Sequence, residues 1–336
     1  MLRLPWSTRL LCGVLLRITR CAFLGNATIA ATIDSASDQC WIFCHLQKCG
    51  GTTIKNMIID SWEERSRTTY DSWQWKHGDK FTSSVARSIS SEAHELKVIM
   101  GGYPEALRRT EAAVGDKCKF FTVFRHPIPR LVSAYFYCRV DPSDQLCAST
   151  IVSSREVDLM AFARHWGSFA VRQFALSWVT YDEVLDYFMS PRGKNLTEKE
   201  VADLPGWYML KVYLDDKSRG GGGRAESLPD AAMQTMLEPV KELLLNGYAA
   251  VGILEEFNKT LSLFNAALEM PEMDWAREFD RAGKENVDTR FQQEQQETLA
   301  TAWTSSEIKS YLRLDLLLYE HAVDVFHQQA AMYGLQ

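Results

Sequence analysis

The chain has no Cys-x-x-Cys pair and no Cys/His set with zinc-ligand spacing, so a metal site is not expected. It also lacks the Walker A signature G-x-x-x-x-G-K-[ST], which removes the usual sequence mark of an ATP or GTP phosphate loop. A net positive charge is missing as well. The formal charge is −6, which implies no general polyanion-binding surface, so nucleic acid is not expected as a partner; a local basic groove stays open. Internal repeats are absent. The first 33 residues contain no Asp or Glu, their charge coming from Arg3, Arg9, Arg17 and Arg20. The apolar run there, Leu10 to Leu16, ends at Arg17 and is too short to span a bilayer.

Residues 1–37 therefore read as a targeting segment: a signal sequence, a weak signal anchor giving membrane attachment, or an Arg-rich organellar transit peptide. Residues 38–336 read as the folded domain. Three sequons, at Asn26, Asn195 and Asn258, are usable in a secretory lumen. Among eight cysteines, Cys40, Cys44, Cys49 and Cys118 lie in or beside apolar runs and are expected as buried thiols. Cys138 and Cys147 flank a polar loop, a spacing that suits a loop-closing disulfide in an oxidising compartment.

The run CWIFCH from Cys40 predicts a buried strand. It leads through QKCGGTT into a helical pattern formed by Ile54, Met57, Ile58 and Trp62. Polar, Trp-rich loops are expected over 63–95. Further strands are predicted at 96–102, 119–125 and 248–254. A helix is expected from Pro127, where proline suits the first turn, and others at 158–188 and 255–268, with one long helix over 305–331. The glycine run at 218–224 reads as a surface insertion. This alternation predicts an α/β fold: a P-loop-like central parallel sheet flanked by helices on both faces. Ligands in such sheets bind at the carboxyl ends of the strands.

Two segments begin at such an end. In HLQKCGGTT, paired glycines permit close backbone approach to a phosphate, and a helix starting near Thr52 adds its positive end. Lys48 adds a full charge, and Thr52 and Thr53 add hydroxyls. A lone Gly-Gly is merely a tight turn; the whole strand, loop and helix pattern is a phosphate cradle. In VFRHPIPRLVSAYFYCR, Arg125 ends a strand and Ser133 lies in the next helix, a pair able to clasp a terminal phosphate. Taken alone, Arg125 reads equally as an ion-pair residue and Ser133 as a small packing residue.

Together the two motifs resemble the sulfotransferases that use 3′-phosphoadenosine-5′-phosphosulfate (PAPS), specifically the Golgi carbohydrate type that includes the heparan and chondroitin O-sulfotransferases. HLQKCGGTTIKNMI is similar to that family's 5′-phosphosulfate loop and VFRHPIPRLVSAYFYCR to its 3′-phosphate motif. Weaker echoes run to about residue 330. The resemblance implies that PAPS is the sulfuryl donor and no metal is needed. It implies that Lys48 stabilises the leaving group and that Lys48, Cys49, Gly50, Gly51, Thr52 and Thr53 hold the 5′-phosphate. Arg125 and Ser133 then hold the 3′-phosphate. A carbohydrate or other hydroxylated acceptor and a Golgi or secretory lumen are implied likewise.

One position departs from the family pattern. Where a catalytic histidine is common after the second strand, IMGGYPEAL has Gly102. His45 and Glu105 are the leading candidates for the base, followed by His77 and His94. Arg172 and Gln173 are candidates to reach a sugar, or ordinary helix-surface groups. Two competing readings stay open: a P-loop kinase or NTPase, weakened by the missing G-K-[ST], and a catalytically inactive sulfotransferase-like binding protein.

Overall fold

Strand β1 (Cys40–Cys44) is buried along its whole length, as an apolar run in the middle of a sheet must be. The rest of the sheet comes from distant parts of the chain: β2 (Thr68–Asp71), β3 (Lys97–Gly101), β4 (Cys118–Phe124) and β5 (Ala250–Ile253), with β3 and β4 flanking β1. All five are parallel, in the order β2-β3-β1-β4-β5. The computed structural model describes residues 40–63, 68–71, 97–101, 118–141, 158–167, 169–176, 230–271, 273–282 and 291–335.

Alternation along the strands sends aromatic side chains to both faces. On one face the Trp41 indole N–H donates to the Leu268 carbonyl (2.9 Å), and Phe43 stacks on Phe121. Phe121 meets Phe264 and Trp275 edge-on. This face carries α6 (Phe257–Leu268) and α7 (Trp275–Ala282), and α7 packs on α1 (Gly51–Glu63). On the other face Phe124 stacks on Phe174, and Phe120 meets Tyr248. There α4 (Phe169–Leu176), α5 (Asp230–Gly247) and α10 (Arg313–Met332) pack on one another. The expected α/β architecture, a parallel sheet with helices on both faces, is the one observed.

A second apolar cluster stands beside the sheet. It joins α2 (Pro127–Val140), α3 (Leu159–Trp166), α8 (Gln292–Thr304) and α9 (Ser306–Tyr311) through Leu131, Phe136, Phe162, Trp166, Ala302 and Ile308. Pro127 opens α2 as expected, with His126 as N-cap accepting from the Ile128 N–H.

Three sequence expectations need correction. The segment expected to be loops contains β2, a short strand whose TTYD sequence gives no apolar signal. The single helix expected over 305–331 is two, α9 and α10, broken at Leu312, where ψ is near 0°. The preceding α8 was not expected. Finally, Cys40 and Cys118 form a disulfide instead of two thiols. The β1/β4 register sets them directly opposite each other, with Cα atoms 4.5 Å apart. Cys44 and Cys49 are buried thiols, as expected. Cys138 is also disulfide-bonded; Cys147, its expected partner, lies outside the described residues.

Candidate functional site

The chain leaves β1 toward one side of the sheet and β4 toward the other, so the carboxyl ends of these adjacent strands form the topological switch point. The Thr122 hydroxyl donates to the Cys44 carbonyl (2.8 Å) and ties the two ends together. Both sequence motifs start here. The glycine loop follows β1, and Arg125 follows β4.

Within the loop Lys48 has φ 62°, a left-handed conformation that is rare for a side chain with a Cβ and costs of order 1–3 kcal/mol. Gly50 follows at φ 78°. The glycines serve the packing of the site wall itself. A Cβ on Gly50 would lie 2.8 Å from the Leu254 side chain, and one on Gly51 would lie 1.8 Å from the His45 ring. Helix α1 begins at Gly51, so the first N–H groups of α1 have no acceptor within the helix and point to the loop. Thr52 and Lys48 are half-buried; Thr53 and Cys49 are buried. Cys49 turns its thiol inward, toward the Gln47 carbonyl, and burial pushes its pKa up. It offers the site only its backbone.

The second motif meets the first directly. The Arg125 guanidinium donates to the Lys48 carbonyl (3.3 Å), across 77 residues of sequence. The Lys48 ammonium lies 3.9 Å from the centroid of the Tyr137 ring on α2. Ser133, one turn before Tyr137, is half-buried. Glu255, just past β5, accepts from the His126 backbone N–H (2.9 Å) and from the Tyr319 hydroxyl (3.0 Å), fixing the turn that follows Arg125. Two cations, Lys48 and Arg125, a helix N-terminus and the hydroxyls of Thr52 and Ser133 thus share one end of the sheet. This donor set fits two anionic phosphate groups. Among the described residues no cluster of three or more His, Cys, Asp or Glu side chains is placed to hold a metal ion.

His45 lies beneath the loop instead of opening onto it. Only 5 % of it is exposed, its ring is stacked on Phe43, and it fills the space that Gly51 leaves. Burial, helped by Lys55 and Lys48, lowers its pKa to about 3. The imidazole is therefore neutral through the physiological range and a weak proton acceptor. The sign of the stability effect follows. Between pH 6.5 and about 3 the unfolded chain takes up a proton at His45 that the folded protein refuses, so acid destabilises the fold. The expected slope is about 1 kcal/mol per pH unit in that window. Urea titrations at pH 7 and pH 5 should show this loss in the wild type and a smaller one in His45→Asn. Equal losses would place the titrating groups elsewhere.

Gln173 does not reach outward. It is buried, and its amide donates to the His45 carbonyl (3.1 Å), bracing the start of the loop. Helix α4, which carries Gln173, is held by Asp315. This buried carboxylate accepts from the Ala170 and Val171 N–H groups (3.1 Å each) and pairs with Arg130 at 2.5 Å. Arg130 is on α2, three residues before Ser133. Asp315 therefore links the helix bracing the first motif to the helix carrying the second. The sequence did not single it out, although a lone acid inside the run LRLDLLLY is the pattern of a paired buried charge. Glu255 was likewise missed. Glu105, Gly102, His77 and His94 lie outside the described residues, as does the Arg172 side chain.

No curated protein matches the chain. The profile of the sulfotransferase family does, over residues 32–333, which takes in both motifs, the whole sheet and all of α10. With Lys48, the glycine loop and Arg125 meeting at the switch point of a parallel sheet, the chain belongs to the sulfotransferase family.

Proposed function

We propose that the protein transfers a sulfuryl group from PAPS to a hydroxyl of a carbohydrate acceptor by in-line displacement. The observation that supports this reading most is the hydrogen bond from Arg125 to the Lys48 carbonyl, which brings the two motifs into contact at one end of the sheet. PAPS supplies the activated sulfuryl group and a 3′-phosphate. The loop backbone from Lys48 to Thr53 binds the 5′-phosphate, with the α1 N-terminus behind it. Arg125 and Ser133 bind the 3′-phosphate, the feature that separates this donor from ATP-type nucleotides. Lys48 stabilises negative charge where the sulfuryl group departs.

The acceptor proton needs a base. An effective base has a pKa near the working pH, and His45 at about 3 is far from it. His45 is also buried beneath the loop, packed under Gly51, so of the two leading candidates we assign the base role to Glu105, and to His45 the role of a wedge that holds Gly51 and the loop in place. Glu105→Gln then lowers turnover with donor binding retained.

Residues 38–336 act as the sulfotransferase domain and 1–37 as the targeting segment. The Cys40–Cys118 disulfide and the disulfide-bonded Cys138 favour an oxidising compartment, which supports a Golgi or secretory lumen with membrane attachment through residues 1–37. No helix among the described residues is long and apolar enough to cross a membrane.

The test is transfer of label from radiolabelled PAPS to a panel of glycans and small hydroxylated acceptors, with a chelator present. Labelling of a glycan is the expected result. Labelling of small hydroxylated compounds alone would overturn the carbohydrate assignment.

A further inference from the structure

Lysine has four rotatable side-chain bonds, and its ammonium is costly to hold in one place. Lys48 is nonetheless fixed at both ends. Its backbone is set at φ 62°, with the carbonyl accepting from Arg125. Its ammonium rests on the face of the Tyr137 ring, 3.9 Å from the centroid, a position in which the ring quadrupole attracts a cation. Tyr137 lies four residues after Ser133 on α2, and residues with that spacing share a helix face. The ring therefore holds the ammonium over the helix face that carries Ser133, between the two phosphate motifs.

We infer that Tyr137 is a positioning residue for Lys48. This rests on the reading of the site as a PAPS site. In the nucleotide-free protein the ring docks the ammonium. A phosphate dianion is a stronger partner for an ammonium than a ring face, so nucleotide binding draws the lysine off the ring along a short path. The contact restricts the side chain before the donor arrives. Because the contact is made in the free protein and given up on binding, its loss should fall on nucleotide affinity and leave turnover at saturating donor little changed. The tyrosine hydroxyl has no part in this, so phenylalanine can substitute.

The readout that separates positioning from a merely structural role is the magnetic environment of the lysine itself. The full chain is labelled with lysine carrying carbon-13 at Cε, and the Lys48 signal is assigned by its disappearance in Lys48→Arg. In the wild type the Lys48 Cε protons should resonate upfield of the exposed lysines, shifted by the ring above which they sit. The shift should persist in Tyr137→Phe and vanish in Tyr137→Leu. Adenosine 3′,5′-bisphosphate should move the wild-type signal toward the exposed-lysine position. Adenosine 3′,5′-bisphosphate should bind roughly 2–10-fold more tightly to Tyr137→Leu than to the wild type and with wild-type affinity to Tyr137→Phe, turnover at saturating donor being little changed in both. The absence of any upfield-shifted lysine Cε signal from the nucleotide-free wild type would overturn the inference, and needs no variant to fold. So would an upfield shift that survives Tyr137→Leu. An upfield signal unmoved by nucleotide, with no heat of nucleotide binding, would overturn the PAPS reading and the hand-over with it. Nucleotide binding without movement of the signal would overturn the hand-over alone.

Discussion

Lys48→Ala should lower sulfuryl transfer by roughly 10²–10³-fold, the range seen when one donor to developing negative charge is removed. Binding of adenosine 3′,5′-bisphosphate should weaken far less. The asymmetry follows from where the charge appears. In the proposed function, nucleotide in the ground state is held by several groups at once: the loop N–H groups, the α1 N-terminus, Arg125 and Ser133. Only Lys48 among the side chains of the loop carries a full charge, and the charge on the departing nucleotide grows as the bond to sulfur lengthens. Interactions that strengthen only in the transition state raise the rate. The comparison uses single-turnover rates on the acceptor found with labelled PAPS, beside calorimetric titration of the nucleotide. Equal losses in rate and affinity would make Lys48 a simple binding residue, and an unchanged rate would remove it from the mechanism.

The largest loss of stability should come from Asp315. Asp315→Ala leaves the Arg130 guanidinium buried without its carboxylate and deprives the Ala170 and Val171 N–H groups of their acceptor. Breaking a buried pair on one side costs about 3–5 kcal/mol, because the charge that remains is uncompensated. Urea unfolding of the folded domain measures it. Replacing both partners, as in Arg130→Met with Asp315→Leu, should recover part of the loss, since the buried charge is then gone while the two α4 N–H groups still lack a partner. A single Asp315→Ala variant within 1 kcal/mol of the wild type, by the same measure, would show that the pair is solvated in solution.

How much of this was legible in the sequence depended on the range of the interaction. The strand from Cys40, the glycine loop, the helix with Ile54, Met57 and Ile58, and Pro127 at a helix start are local patterns. Each emerged where periodicity and turn chemistry placed it. The convergence of the two motifs also followed, because parallel strands bring their carboxyl ends to one edge. What failed was information carried by pairs far apart in the chain. The Cys40–Cys118 disulfide depends on a register between strands 78 residues apart. The roles of Gln173, Asp315 and Glu255 depend on partners 128, 185 and 129 residues away. β2 was invisible for another reason: four polar and aromatic residues at a sheet edge give no burial signal. The paired glycines were read for close backbone approach to a phosphate; what the structure shows is that Gly50 and Gly51 make room for Leu254 and His45.

His45 shows why residue type alone does not assign a base. Its place at the end of β1 made it a candidate, yet that same strand end is buried and burial lowers its pKa, which is why the proposed function places the base elsewhere.

The central claim is that Arg125 and Ser133 recognise a 3′-phosphate beside a loop that binds the 5′-phosphate. Calorimetric titration of the wild-type protein with adenosine 3′,5′-bisphosphate and with AMP tests it most directly, because the two ligands differ only in that phosphate and no acceptor is needed. Charge-assisted hydrogen bonds contribute about 1.5–3 kcal/mol each, so the bisphosphate should bind at least tenfold more tightly, and Arg125→Ala should erase the preference. Equal affinity for the two nucleotides would contradict the claim.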